Sequence, residues 1–192
     1  MIAIIKYNGG NVNSVQNALD RLNVSSVITD DPEIIINADK VIFPGVGEAS
    51  STMKLLQEKG LDILIPKLKQ PVLGICLGMQ LMCGKNEEGN TQGMGIFDIS
   101  VKKFPARDLV PHMGWNTVSD QRSPLFSEIE PEGTMYFVHS YYCELSDHTT
   151  SVCDYILPFS ASLQRDNFYA VQFHPEKSGK TGKQILNNFI QL

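Results

Sequence analysis

The chain lacks most of what would place a protein outside the cell, in a membrane or on a nucleic acid. Its four cysteines, Cys76, Cys83, Cys143 and Cys153, form no C-x-x-C pair. Neither a disulfide framework nor a zinc site is indicated, and reduced thiols are expected. Basic residues are in deficit, 16 Lys and Arg against 21 Asp and Glu, and the net charge of −5 gives no attraction for nucleic acid or an anionic membrane surface. No apolar run approaches the about 20 residues that cross a bilayer. The opening Met1-Ile2-Ala3-Ile4-Ile5-Lys6 is too brief for a signal segment and has no leading positive charge. These absences point to a cytoplasmic protein with no membrane or nucleic-acid partner, and no motif calls for a metal or a cofactor. There is also no internal repeat, low-complexity tract or linker.

What is present suits one globular domain over residues 1–192, with 42% hydrophobic and 19% charged residues. Ile2 to Tyr7 reads as a strand, followed by a turn at Asn8-Gly9-Gly10-Asn11 and a helix with apolar Val12, Val15, Ala18, Leu19 and Leu22. Val24 to Thr29 is a second strand, and Asp31-Pro32 is a cap with proline at the first helical position, opening a short helix through Asn37. Val41-Ile42-Phe43 is a third strand, running into Pro44-Gly45-Val46-Gly47. A helix around Met53 to Lys59 then closes at Gly60, and a second helical piece reaches Leu68. Strand and helix alternate, which argues a mostly parallel sheet flanked by helices, an α/β fold. After a polar loop from Asn86 to Gly95, the chain is mainly strand: Val101 to Phe104, Met135 to Tyr142, Ser151 to Ile156, Ser160 to Gln164 and Tyr169 to Phe173. These are expected as antiparallel strands added to one edge, before a closing helix that carries Ile185, Leu186, Phe189 and Ile190.

The chemical signal lies between the two halves, in Pro71-Val-Leu-Gly74-Ile-Cys76-Leu77-Gly78-Met-Gln80-Leu-Met-Cys83. A short apolar strand meets a helix at Cys76, and glycines two residues before and two after it remove side chains that would collide in so sharp a turn. That is the pattern of a nucleophile elbow, G-x-C-x-G in place of G-x-S-x-G. A thiol at a helix N-terminus is favoured as its anion, the nucleophilic form.

Thiol chemistry on a carbonyl also needs a base and a group that orients it. His174-Pro175-Glu176 offers both, because residues i and i+2 of an extended segment point the same way and proline fixes the backbone between them. The order Cys76, His174, Glu176 excludes α/β-hydrolases, where the acid precedes the histidine, and caspases, where the histidine precedes the cysteine. Pro44-Gly45-Val46-Gly47 leaves the third strand at the same end of the sheet as the elbow. Its glycines let one peptide plane turn an N–H toward a developing oxyanion, alongside the N–H of Leu77.

Gly74-Ile-Cys76-Leu-Gly78-Met-Gln80 together with His174-Pro-Glu176 resembles the triad (class I) glutamine amidotransferases. Pro44-Gly-Val-Gly47, Pro111-His-Met-Gly-Trp-Asn116, Phe137-Val-His-Ser-Tyr-Tyr142 and Gln172-Phe-His-Pro-Glu-Lys-Ser178 resemble, within them, the glutaminase subunits of imidazole glycerol phosphate synthases. The resemblance implies Cys76 as nucleophile, His174 as general acid and base, and Glu176 as its orienter. It implies Gly45, Val46, Gly47 and Leu77 as the oxyanion region, and Gln80, Ser140 and Tyr141 as contacts to glutamine. It further implies a (β/α)8-barrel synthase partner in a heterodimer, met near Met113, Trp115, Asn116 and Lys177, with ammonia passing through the interface. The same triad would serve a glutaminase feeding another synthase, and the fold could carry a regulatory subunit without turnover. Lys6-Tyr7-Asn8-Gly9 stands where the family usually has Asp-Tyr-Gly, Ile156 follows Tyr155 where glycine is common, and the loop Asn86 to Met94 differs in detail.

Overall fold

A computed structural model describes residues 1–7 and 11–192; the turn expected at Asn8 to Gly10 lies outside the described residues. In chain order the elements are β1 (Ile2–Ile5), α1 (Val12–Asp20), β2 (Ser26–Thr29), α2 (Pro32–Asn37), β3 (Lys40–Gly45), α3 (Ala49–Glu58), α4 (Leu61–Leu64), β4 (Val72–Cys76) and α5 (Leu77–Met82). They continue with β5 (Cys83–Asn86), β6 (Thr91–Gln92), β7 (Phe97–Lys103), β8 (His112–Asn116), β9 (Met135–His139), β10 (Tyr141–Cys143), β11 (Thr149–Asp154), β12 (Pro158–Arg165), β13 (Phe168–Val171) and α6 (Gly179–Gln191).

The main sheet has seven strands in the order β11-β12-β13-β4-β3-β1-β2. From β2 to β13 neighbours run parallel, and β12 and β11 add antiparallel at the β13 edge. Its central strands are apolar throughout because both faces are covered. Successive side chains alternate between two cores. Ala3, Ile5, Val41 and Phe43 pack on the side of α3, α4 and α5, while Ile2, Ile4, Ile42, Leu73 and Ile75 pack with Val15 and Leu19 of α1 and Ile185, Leu186 and Phe189 of α6.

The sequence expectation of one sheet with a strand-rich edge is half right. Only β11 and β12 extend the main sheet; β10, β7, β5 and β6 form a separate four-stranded sheet, and β8 pairs with β9 in a two-stranded ribbon. The run Met135 to Tyr142, expected as one strand, divides at Ser140 because β9 pairs with β8 and β10 with β7. The polar loop after α5 contains β6, and the helix ends at Met82, where Cys83 already has extended backbone angles (φ −74°, ψ 175°). His174 lies beyond the end of β13 and is itself extended, at φ −101° and ψ 95°. The chain bends at Gln172 and Phe173, however, and Pro175–Lys177 form a single 3-10 turn. The extended His-Pro-Glu segment expected from the sequence is therefore not formed, and it is this turn that brings Glu176 back to His174. Asp31 caps α2 as expected, its Oδ1 accepting from the Glu33 N–H at 2.9 Å.

Two glycines permit the contact that places the site. A Cβ on Gly78 would overlap the Phe43 carbonyl oxygen of β3, and a Cβ on Gly45 would lie 2.7 Å from the Gly78 nitrogen and 2.8 Å from Leu77 Cβ. Helix α5 therefore rests directly on the backbone of β3. Replacing Gly78 by Ala should cost about 3 kcal/mol or more, since the overlap is with backbone rather than a movable side chain; for a chain of this size that lowers Tm by roughly 6 to 12 °C. Gly84→Ala, whose new Cβ would meet its nearest neighbour at 3.7 Å, should leave Tm close to wild type. Thermal denaturation of the two variants checks the difference.

Candidate active site

Cys76 sits where β4 gives way to α5, at φ 54° and ψ −109°, a conformation that disfavours any residue with a Cβ. Such strain costs of order 1–3 kcal/mol. Against it stand Leu77, Met79, Leu81 and Met82 of α5, all buried, which at about 1.5–3 kcal/mol each contribute about 6–12 kcal/mol. Packing wins, and the elbow is held with its thiol lining a cavity of ≈ 380 Å³.

Of the residues expected to bind glutamine, Val46, Gly47, Leu77, Gln80, Ser140 and Tyr141 line this cavity with Cys76. Gly45 lies behind it, packed on Gly78, Leu77 and the Tyr7 hydroxyl. Gly47 differs from Gly45: its φ is +113° and the space where a Cβ would stand is open. Leu77 opens α5, so its N–H has no acceptor within the helix.

His174 and Glu176 lie together behind the nucleophile, both side chains almost fully buried, with Nδ1 of His174 2.8 Å from Oε1 of Glu176. Asn11 donates to the same carboxylate oxygen at 2.8 Å. Ser178 fixes the backbone, donating to the His174 carbonyl at 2.6 Å and accepting from the Tyr136 N–H at 2.9 Å. With Nδ1 turned to Glu176, the imidazole is left with a buried Nε2 that has no hydrogen-bond partner among the described residues. Burial alone would lower the His174 pKa. The neighbouring Cys76 sulfur and the Glu176 carboxylate outweigh it and hold the pKa up at about 10.

The other two histidines near the site behave oppositely. His139 Nδ1 is 2.7 Å from the Tyr141 carbonyl oxygen and His112 Nδ1 is 3.0 Å from His139 Nε2. Burial is the main cause that brings His139 down to about 3 and His112 down to about 4, so both rings are neutral.

Sequence reasoning missed several residues of this site. Gln172 donates to Cys76 Sγ at 3.6 Å; it stands two residues before His174, where the chain bends. Tyr7 is buried beneath the Pro44-Gly45 turn and donates to the Pro44 carbonyl at 2.8 Å. Glu88 lines the cavity and accepts from the Ala49 N–H at 2.9 Å, and burial raises its pKa. Its position in a polar loop carries no sequence signal.

The four residues expected to meet a partner do not behave alike. Met113 and Trp115 are 62% and 57% exposed, alternating along β8 with buried His112. Trp115 stands edge-on to Tyr136 at 5.7 Å, and Lys177 Nζ lies 5.9 Å from the centre of the same ring. Asn116 is turned inward, donating to the Asp154 carbonyl at 3.2 Å and accepting from the Thr117 N–H at 2.9 Å. Among the described residues no helix is long and apolar enough to cross a membrane.

Residues 4–192 match the family model described as glutamine amidotransferase class-I. The chain is 58% identical over 194 residues to the imidazole glycerol phosphate synthase subunit HisH of Bacteroides fragilis, covering 100% of this chain and 99% of that protein. It is 48% identical to the subunit of the same name from Pasteurella multocida, covering 99% of this chain and 97% of that one. A solved structure described as a glutamine amidotransferase superposes with a TM-score of 0.75 at 17% identity, over 100% of this chain and 98% of its own, a likeness of fold.

The histidine environments predict opposite pH effects on stability. His174, raised to about 10, contributes fully below the ordinary histidine value of 6.5, and that contribution is lost as pH rises through about 10. His139 and His112, lowered to about 3 and about 4, contribute fully above 6.5, and their contribution is lost as pH falls toward those values. NMR titration of the imidazoles should show His174 protonated well above neutrality, with its midpoint lowered in Cys76→Ala. A His174 midpoint near 6.5 in the wild-type chain would contradict the described pairing.

Proposed function

The chain belongs to the class I glutamine amidotransferases, and from that premise we propose that it is the glutaminase subunit of an imidazole glycerol phosphate synthase, acting in histidine biosynthesis. The observation that carries the chemistry is the strained elbow cysteine beside a buried histidine–carboxylate pair. The relatives of this length and identity, both synthase subunits by name, favour this acceptor over another synthase, and the complete triad favours turnover over a purely regulatory role.

In this reading Cys76 Sγ, its proton passed to His174 Nε2, attacks the side-chain amide carbon of glutamine, and the carbonyl oxygen becomes an oxyanion. The N–H of Leu77 and a peptide N–H of Gly45-Val46-Gly47 stabilise it; one such donor is worth about 2.7–4 kcal/mol in the transition state. His174, protonated at Nε2, gives its proton to the departing nitrogen, and ammonia leaves a glutamyl thioester. Water then attacks the thioester while Nε2 takes its proton; glutamate departs and the thiol is restored. Glu176 keeps the ring oriented with Nε2 toward the sulfur throughout. Glu88 offers a carboxylate to the substrate ammonium, and Gln80, whose N–H groups are engaged by protein oxygens, offers its carbonyl oxygen. Gly45 is locked by its neighbours while Gly47 has room, so rotation of the oxyanion peptide falls on the Val46-Gly47 side.

The exposed Met113 and Trp115, beside Lys177 one residue from the triad, support a docking face for a (β/α)8-barrel synthase subunit. Ammonia formed at Cys76 passes to that partner, and the lyase chemistry at the acceptor belongs to it. The test separates the two activities in the assembled complex. Cys76→Ala should abolish glutamine-dependent synthesis and leave synthesis from added ammonium at the wild-type rate. Loss of both, with the complex still assembled, would contradict the division of labour.

A further inference from the structure

We propose that Gln172 is a positioning residue for the nucleophile, its carboxamide tying the glutamine-binding side chain Gln80 to the Cys76 sulfur and presenting an N–H to that sulfur. The inference rests on the glutaminase reading and concerns a residue which that mechanism leaves without a role.

The argument is one of hydrogen-bond polarity. The Tyr141 carbonyl oxygen can only accept. It lies 2.7 Å from His139 Nδ1 and 2.9 Å from Gln80 Nε2, so Gln80 must face it with its NH2 group. The second N–H of that group reaches Gln172 Oε1 at 2.9 Å. Gln172 is thereby turned with its own NH2 toward Cys76 Sγ, 3.6 Å away. Turning Gln80 over would set oxygen against oxygen at Tyr141, and turning Gln172 over would set two NH2 groups face to face. Gln80 and Gln172 are both buried, where a mismatched polar group keeps its full desolvation cost. A carbonyl that can only accept, two residues from the cavity wall at His139, therefore dictates that the sulfur meets a donor.

The sulfur needs one. On its other contact it faces the Val138 carbonyl oxygen at 3.9 Å, which can accept from the thiol but opposes the anion. The Gln172 N–H is matched to the state in which the proton has left, and so to the sulfur during attack. Gln172 and His174, two residues apart in the chain, both stand beside the sulfur, the one offering it an N–H at 3.6 Å and the other its imidazole.

The test compares wild type, Gln172→Met and Gln172→Glu. Glutamine hydrolysis is measured in the complex with the synthase partner, and alkylation of Cys76 by iodoacetamide at neutral pH is measured on the chain itself. Removing the donor in Gln172→Met should lower kcat roughly ten- to a hundredfold with little change in KM, and slow alkylation by a comparable factor. Gln172→Glu keeps an acceptor for Gln80 but turns a carboxylate oxygen to the sulfur, and should be slower than the Met variant in both assays. Unchanged kcat and alkylation in the Met variant would overturn the proposal, as would a raised KM at constant kcat, which would make Gln172 a wall of the pocket. Ammonium-supported synthesis reports whether each variant is folded and assembled; should the buried charge of the Glu variant prevent folding, the Met variant decides by the same two readouts. A wild-type complex that fails to hydrolyse glutamine would count against the glutaminase reading, while the alkylation rates would still decide the role of Gln172.

Discussion

The site depends on one close approach, that of α5 to the backbone of β3. Gly78 stands against the Phe43 carbonyl oxygen and Gly45 against Gly78 and Leu77, contacts that no side chain could occupy. With the helix seated so low, the chain leaving β4 must turn within one residue, and Cys76 takes the strain at φ 54°. The same seating brings the Pro44-to-Gly47 turn beside the first N–H of α5. The elbow cysteine and the backbone N–H groups beside it are therefore products of a single packing event, and the buried face of α5 supplies the free energy that holds the strained residue in place.

Electrostatics at the site follow from which buried groups have partners. Three imidazoles lie in largely dry surroundings, yet only His174 is held protonated, because a sulfur and a carboxylate flank it. His139 and His112 meet a carbonyl and each other, nothing compensates a charge there, and burial keeps them neutral. The pair then serves as structure: the Tyr141 carbonyl, which can only accept, sets the direction of the hydrogen bonds that link the two rings of β8 and β9 to the cavity at Gln80. A proton-transferring histidine and two orienting ones thus differ in their neighbours more than in their depth.

The parts of this arrangement that were legible in the sequence are those governed by local geometry. The elbow glycines, the pairing of His174 with Glu176 (made by a 3-10 turn where an extended segment was expected), the Asp31 cap and the βα alternation of the first half all depend on residues close in the chain. The misreadings are tertiary. Nothing local to Ser140 says that β9 and β10 pair with different strands, since both sides of it are apolar and β-prone; the break comes from β8 and β7. The second sheet was hidden because β5, β6 and β10 are short, and because Lys85 and Lys103 stand exposed on β5 and β7. Glu88 and Tyr7 enter the site through the folding of distant loops onto α5.

The account makes Cys76 the atom through which every glutamine passes. The most direct measurement is an acid quench of the assembled complex during turnover of glutamine, followed by mass analysis of its peptides. A glutamyl adduct on the peptide that carries Cys76, absent before glutamine is added, is the predicted result. Turnover with no adduct on that peptide at any quench time, or an adduct on Cys83, Cys143 or Cys153 instead, would contradict it.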